Sequence, residues 1–197
     1  MKIKAVPTSY NGMRFDSRTE AFWAVLFDQL KIPYIHEPEG FIFSDGTKYL
    51  PDFYLPDQNA FFECKGVMSD KDLHKIEMLM KESGRPVIVG YTDFTFEACD
   101  DYYYGGDIPG GELPYERADK ASSVLVKCPA CGKYYFSATN GYYGCQCCNA
   151  YDGDHYFLIL WYGDEKQNVS TITHDGRVLH KAISYALSKK FDKRDNR

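Results

Sequence analysis

Two groups of residues in this chain have the types and the spacing to do chemistry. The first is Pro51-Asp52, followed after ten intervening residues by Glu63-Cys64-Lys65. In an extended strand successive side chains alternate faces, so Glu63 and Lys65 emerge on one side while Phe62 and Cys64 face the other. Antiparallel pairing with the preceding strand brings Asp52 opposite Glu63. Two carboxylates from neighbouring strands make a hard oxygen site of the kind Mg²⁺ (or Mn²⁺) takes, with positions left open for water and phosphate. A lysine two residues beyond one of them points at the same centre. Metal-assisted phosphodiester hydrolysis needs this set: charge neutralisation, an activated water and a cation near the reacting phosphorus.

The second group is a cysteine cluster. Cys128-Pro129-Ala130-Cys131-Gly132-Lys133 places two thiols at the spacing of a zinc knuckle, closed by Gly132 where a positive φ is needed. Cys145-Gln146-Cys147-Cys148-Asn149 offers a second pair. Pairing Cys145 with Cys148 repeats the spacing and sets Asn149 where Gly132 stands, a position Asn tolerates well. The expected ligands of one structural Zn²⁺ are therefore Cys128, Cys131, Cys145 and Cys148, with Cys147 spare.

The elements that must position these groups follow from periodicity. Residues 1–16 show no clear period and read as an extended lead-in. A helix starts at Ser17 with Glu20 three residues on, the spacing of a capping box, and carries Phe22, Trp23, Val25, Leu26, Phe27 and Leu30 until Pro33 ends it. Asp45-Gly46 marks a hairpin turn, and Lys48 to Leu55 and Phe61 to Lys65 read as strands. Leu73, Ile76, Leu79 and Met80 recur at helical spacing from Ser69 to Glu82, and Pro86 to Tyr91 reads as a buried strand. Helix, hairpin, strand, helix, strand is a compact α/β core. Beyond it come Val124 to Val126, the cysteine cluster, strands at His155 to Tyr162 and Val169 to Thr173, and a helix whose apolar stripe is Leu179, Ala182, Ile183, Ala186 and Leu187. The expected organisation is a core over 1–99, an acidic linker over 100–119, and a β-rich zinc-ribbon module with a basic C-terminal helix over 120–197.

Composition narrows the function classes. The 197 residues are 44% hydrophobic and 26% charged, which excludes wholesale disorder. No run approaches the roughly 18 apolar residues of a membrane helix, and the N-terminus lacks the apolar run of a signal peptide. Seven cysteines, five of them between Cys128 and Cys148, point to metal ligation rather than a disulfide framework. A net charge of −5 argues against generic electrostatic binding to nucleic acid. The charge is uneven, however: from Arg177 to Arg197 there are seven bases against two acids, so phosphate affinity is expected in the zinc module and the tail.

The order helix-Glu, Pro-Asp, Glu-x-Lys, Gly, helix, strand over residues 17–91 resembles the PD-(D/E)XK nuclease superfamily. Tyr49-Leu50-Pro51-Asp52-Phe53-Tyr54-Leu55-Pro56 with Phe62-Glu63-Cys64-Lys65-Gly66 is most similar to small phage-encoded members and to transposon endonuclease subunits. The resemblance implies a restriction-endonuclease-like core: a small mixed sheet flanked by helices. It makes Asp52, Glu63 and the backbone carbonyl of Cys64 ligands of Mg²⁺, with Lys65 acting on the attacking water. It also places an acid on the first helix, which would be Glu20, in competition with the capping role. His36 and Glu37 fall near the same cleft, but a histidine at a hairpin edge reads as a surface residue, and neither is counted in the site. The implied activity is metal-dependent hydrolysis of nucleic acid, DNA first, in a bacterial or phage-infected cytoplasm. The alternatives are an inactive nucleic-acid or protein adaptor, and a subunit that cuts only within a recombination complex, with a protein partner or a second copy of the chain. No membrane partner is expected.

Overall fold

The computed structural model describes residues 5–92, 94, 96–99, 124–128, 130–137, 148, 158–162 and 176–191. Over these the chain is a mixed α/β fold with small sheets and three helices. The strands are β1 (Thr8–Tyr10), β2 (Met13–Phe15), β3 (Ile35–His36), β4 (Phe41–Ile42), β5 (Lys48–Tyr49), β6 (Phe53–Leu55), β7 (Ala60–Lys65), β8 (Val87–Tyr91), β9 (Phe96–Cys99), β10 (Val124–Lys127), β11 (Tyr134–Ser137) and β12 (Leu158–Tyr162). The helices are α1 (Arg18–Leu30), α2 (Asp70–Ser83) and α3 (Gly176–Ser188). The acidic stretch 100–119 and the strand expected at Val169 to Thr173 lie outside the described residues.

The main sheet has the order β3-β6-β7-β8-β9. Strands β7 and β8 run parallel, joined by the α2 crossover, and the other neighbours are antiparallel. Alternation along β7 sorts the layers. Phe62 joins the cluster built on Trp23, Phe27 and Leu30 of α1, whereas Phe61 joins Ile76, Leu79 and Met80 of α2 on the other face. On β8, Gly90 stands opposite Cys64. A Cβ at Gly90 would meet the Phe62 ring at 2.4 Å and the Trp23 indole at 2.6 Å, so α1 sits this close only because no side chain intervenes.

The part that follows the acidic stretch is built into the same core. A second sheet, β11-β10-β12, contributes Leu125 and Phe136 to the α1 cluster, and α3 contributes Leu179, Ala182 and Ala186. Gln58, in the turn between β6 and β7, bonds Phe136 at both ends. Its amide accepts from the Phe136 N–H at 2.9 Å and donates to the Phe136 carbonyl, completing β11 as a neighbouring strand would.

Several local expectations change. The lead-in is a hairpin, β1 against β2, around Asn11 (φ 51°) and Gly12 (φ 77°). Asn-Gly is the pair whose left-handed conformations match strand twist in a tight turn, so the signal was present at residues 11 and 12. The strand expected from Lys48 to Leu55 is broken: β5 pairs with β4, and β6 pairs with β3 and β7. Pro51 has no N–H to give a ladder, and Asp52 spends its own on a side chain instead. Helix α1 stops at Lys31 in a left-handed cap (φ 58°), two residues before Pro33. On α3, Leu187 is exposed while Leu179, Ala182 and Ala186 are buried.

Candidate active site and thiol cluster

The Phe53–Phe62 register, extended by one residue, sets Asp52 across from Glu63 at the entry to β6. Side chains and backbone then interlock. The Asp52 N–H donates to Glu63 Oε1 at 3.2 Å, and the Cys64 N–H donates to Asp52 Oδ2 at 2.7 Å. Lys65 emerges on the same side of β7 as Glu63, and its Nζ lies 3.0 Å from Glu63 Oε2. Across the sheet end, Nζ is 3.7 Å from Asp72 Oδ1 in the first turn of α2. Asp72 is itself fixed by a reciprocal capping box with Ser69. Glu63 is fully buried.

Electrostatics follow from this crowding. Burial and then the negative charge of Glu63, with Glu20 adding to it, push the Asp52 carboxyl well above the usual carboxylate range, against the pull of Lys65 and the Cys64 amide. Burial works against the Lys65 ammonium, yet Glu63 and Asp52 outweigh it and hold its pKa above the ordinary lysine value. The Cys64 thiol is pushed up by burial and by Asp52, so it stays neutral and packs against the core. The phenol of Tyr49 is pushed up as well, by burial first and by Glu63 next.

Glu20 stands apart in its bonding. Its N–H donates to Ser17 Oγ at 3.1 Å, so Ser17 caps α1. Its carboxylate does not return the bond to Ser17; it accepts instead from the Asp16 N–H at 3.0 Å and lies 3.6 Å from His36 Nε2. His36 is therefore no surface residue. Its side chain is 11% exposed and its ring packs on Phe15 and Phe53 at centroid distances of 4.5 and 5.4 Å. The reading of an edge histidine missed that β3 is covered by the β2 strand, which carries Phe15. Glu37 takes a left-handed conformation (φ 46°) and donates its N–H to the Asp52 carbonyl at 2.9 Å. Sequence reasoning also missed Asp72, which the Ser69-to-Asp72 spacing flags as a capping pair, and Tyr49, three residues before Asp52.

The thiols converge at the far side of the core. Cys128 directly follows β10, and the Gly132 N–H donates to its carbonyl at 2.9 Å with Gly132 at φ 73°, the knuckle geometry. The Sγ atoms of Cys128, Cys131 and Cys148 lie within 4.8 Å of one another, a soft donor set that could bind a metal such as zinc. Among the described residues this is the one group of three metal-ligating side chains so closely gathered. Cys145 and Cys147 lie outside the described residues. Lys133, next to the knuckle, reaches Asp57 Oδ2 at 2.6 Å, again in the β6–β7 turn.

Among the described residues no helix is long and apolar enough to cross a membrane. Comparisons with models of known protein families, with curated proteins and with solved structures found no match.

Proposed function

We propose that this chain is a Mg²⁺- or Mn²⁺-dependent nuclease on a restriction-endonuclease-like core, hydrolysing phosphodiester bonds in DNA, with one structural zinc held by the cysteine cluster. The observation that carries the proposal is the interlocked Asp52–Glu63–Lys65 group at the entry to β6 and the end of β7. The order of elements around it, with the parallel β7-α2-β8 crossover following Glu63 and Lys65, supports the same reading.

The donor set fits a hard divalent cation. Asp52 and Glu63 supply oxygens, and carboxylates that oppose one another's ionisation at Asp52 are relieved by a positive charge placed beside them. Such a cation, when bound, neutralises phosphate charge and acidifies a water. The chain does the rest. The Cys64 and Asp52 N–H groups fix the two carboxylates in place, so no reorganisation is needed at the moment of reaction. In the metal-free chain Glu63 and Asp52 favour the Lys65 ammonium, which suits it to orient water and to stabilise negative charge on phosphate oxygens. Glu20, buried and close enough to raise Asp52, adds a third anion to the site from the start of α1.

The test is incubation of the purified chain with duplex, forked and single-stranded DNA in Mg²⁺, Mn²⁺ or EDTA. Cleavage by wild type that needs metal and is absent in Asp52→Asn supports the proposal. Nucleic-acid binding without cleavage under every metal condition would replace it by the adaptor reading.

A further inference from the structure

Among the described residues two buried side-chain polar atoms have no hydrogen-bond partner, Nε2 of His36 and the hydroxyl of Tyr49. Buried polar groups are normally paired, because leaving one unpaired forfeits its hydration with nothing in return. Here both exceptions flank one place. His36 Nε2 stands 3.6 Å from Glu20 Oε2, beyond hydrogen-bond reach, on the α1 side of the acid cluster. The Tyr49 hydroxyl faces Glu63, whose carboxylate acts on it both as a charge and as a hydrogen-bond acceptor at the limit of reach, without a bond of good geometry, on the α2 side.

Neither side chain is free to turn away. The His36 ring is held by Phe15 and Phe53, and the next residue, Glu37, is kept at φ 46° by its bond to the Asp52 carbonyl. A non-glycine residue in that conformation stores strain, and stored strain concentrates where a site is being held open for use. The Tyr49 ring packs on Phe43 at 5.8 Å, with the Lys75 ammonium over it at 5.4 Å.

We propose that His36 and Tyr49 complete the site, each hydrogen-bonding a phosphate oxygen or a water that enters beside the carboxylates. The inference rests on the nuclease reading above and names the residues that receive its substrate. A phenol at neutral pH carries its proton and so donates to an anionic oxygen, while a neutral imidazole nitrogen either donates or accepts according to tautomer. The Tyr49 hydroxyl therefore suits the phosphate, and His36 suits the water. Neither was signalled by the acidic motif.

The experiment compares wild type with Tyr49→Phe, His36→Phe and His36→Asn in the full chain. The readouts are melting temperature, Mn²⁺ affinity by titration calorimetry, and kcat and KM for DNA cleavage. Tyr49→Phe removes a hydroxyl that makes no hydrogen bond of good geometry, so its melting temperature should stay close to that of wild type. Its kcat/KM should nonetheless fall by about tenfold, the worth of one hydrogen bond to a charged group. His36→Phe should lose a similar factor at unchanged stability, and His36→Asn, which keeps a polar tip, should recover part of it. Wild-type kcat/KM and Mn²⁺ affinity in both Phe variants, with raised stability, would overturn the inference and leave the nuclease reading standing. Wild type that binds Mn²⁺ without cleaving would end the nuclease reading, and weakened or unchanged Mn²⁺ affinity in the variants would then decide the inference. Wild type that neither binds nor cleaves would overturn both.

Discussion

Asp52, Glu63 and Lys65 are placed by strands whose neighbours are already buried: Phe53, Phe61 and Phe62 are fully enclosed, and the site follows from their pairing. Cys128 and Cys131 are placed by a turn that closes at Gly132, and the Cys148 sulfur converges on theirs. The first region folds because apolar side chains flank it and tolerates the repulsion it contains. The second, among the described residues, buries Leu125 and Phe136 in the α1 cluster. On the proposed reading the carboxylate site exists before an ion arrives, whereas the thiol site is completed by its ion. Loss of metal should thus cost activity at one and structure at the other.

The largest expected effect tests the thiol side of that contrast. Small zinc modules bind their metal with apparent free energies of about 10–16 kcal/mol at neutral pH, so even partial coupling to the core should lower stability by several kcal/mol when a ligand is lost. Cys128→Ser should bring zinc content from about one per chain to near none and depress the melting temperature by ten degrees or so. Cys145→Ser should match it, and Cys147→Ser should not. Equal zinc content in all three variants would remove the metal from the contrast.

The acid side is tested by Asp52→Asn. Cleavage should fall by about a thousandfold or more, as expected when a charge-stabilising group is lost from a preorganised site. Stability should hold or rise, because Asn can still accept from the Cys64 N–H and no longer opposes Glu63. A destabilised Asp52→Asn would mean that this carboxylate serves the fold and not the site.

The link between the regions is tested by Gln58→Ala. It removes the side chain that the Phe136 N–H and carbonyl both bond in a buried place, at a cost of about 1–3 kcal/mol. The same turn joins the strands of Asp52 and Glu63 and takes the Lys133–Asp57 ion pair. Turnover should therefore fall along with the melting temperature, by less than tenfold. Unchanged turnover would show two sites that share a core without communicating.

Legibility divided along the same line. The helix starts at Ser17 and Ser69, the Asp-Gly hairpin and the alternation on β7 follow from local rules, and residues 52, 63 and 65 came together as their spacing required. What pattern did not reveal was set by contacts distant in sequence. His36 is buried because β2 covers β3, and that requires a hairpin whose Asn-Gly signal stood in a stretch without apolar period. The Gln58–Phe136 bond spans 78 positions and has no local signature. Glu20 fits a capping box by spacing, yet its carboxylate turns to the Asp16 N–H and the His36 ring instead of back to Ser17, contacts that no local pattern announces.

The smallest effect expected is a dependence of stability on pH, and it isolates the acid cluster from the rest of the surface. Asp52 holds its proton more tightly in the folded state than in the unfolded chain. Between the ordinary carboxylate value of about 3.9 and that raised value, the folded state binds more protons, so stability falls as pH rises through the window. Asp45 and Asp72 run the opposite way and at lower pH. Asp45, lowered to about 2 by its bond to His74, contributes above the ordinary value and loses that contribution only as pH falls toward 2. Asp72, lowered with Ser69 and Lys65 outweighing its burial, behaves alike. Lys65 stays charged throughout. The metal-free protein should accordingly melt a few degrees higher at pH 5 than at pH 7.5 on account of Asp52, and Asp52→Asn should flatten that slope. Saturating Mg²⁺ should reverse it, since protons compete with the ion for the same oxygens. Identical pH profiles for wild type and Asp52→Asn would place the repulsion elsewhere and weaken the distinction between a site held by its core and one held by its metal.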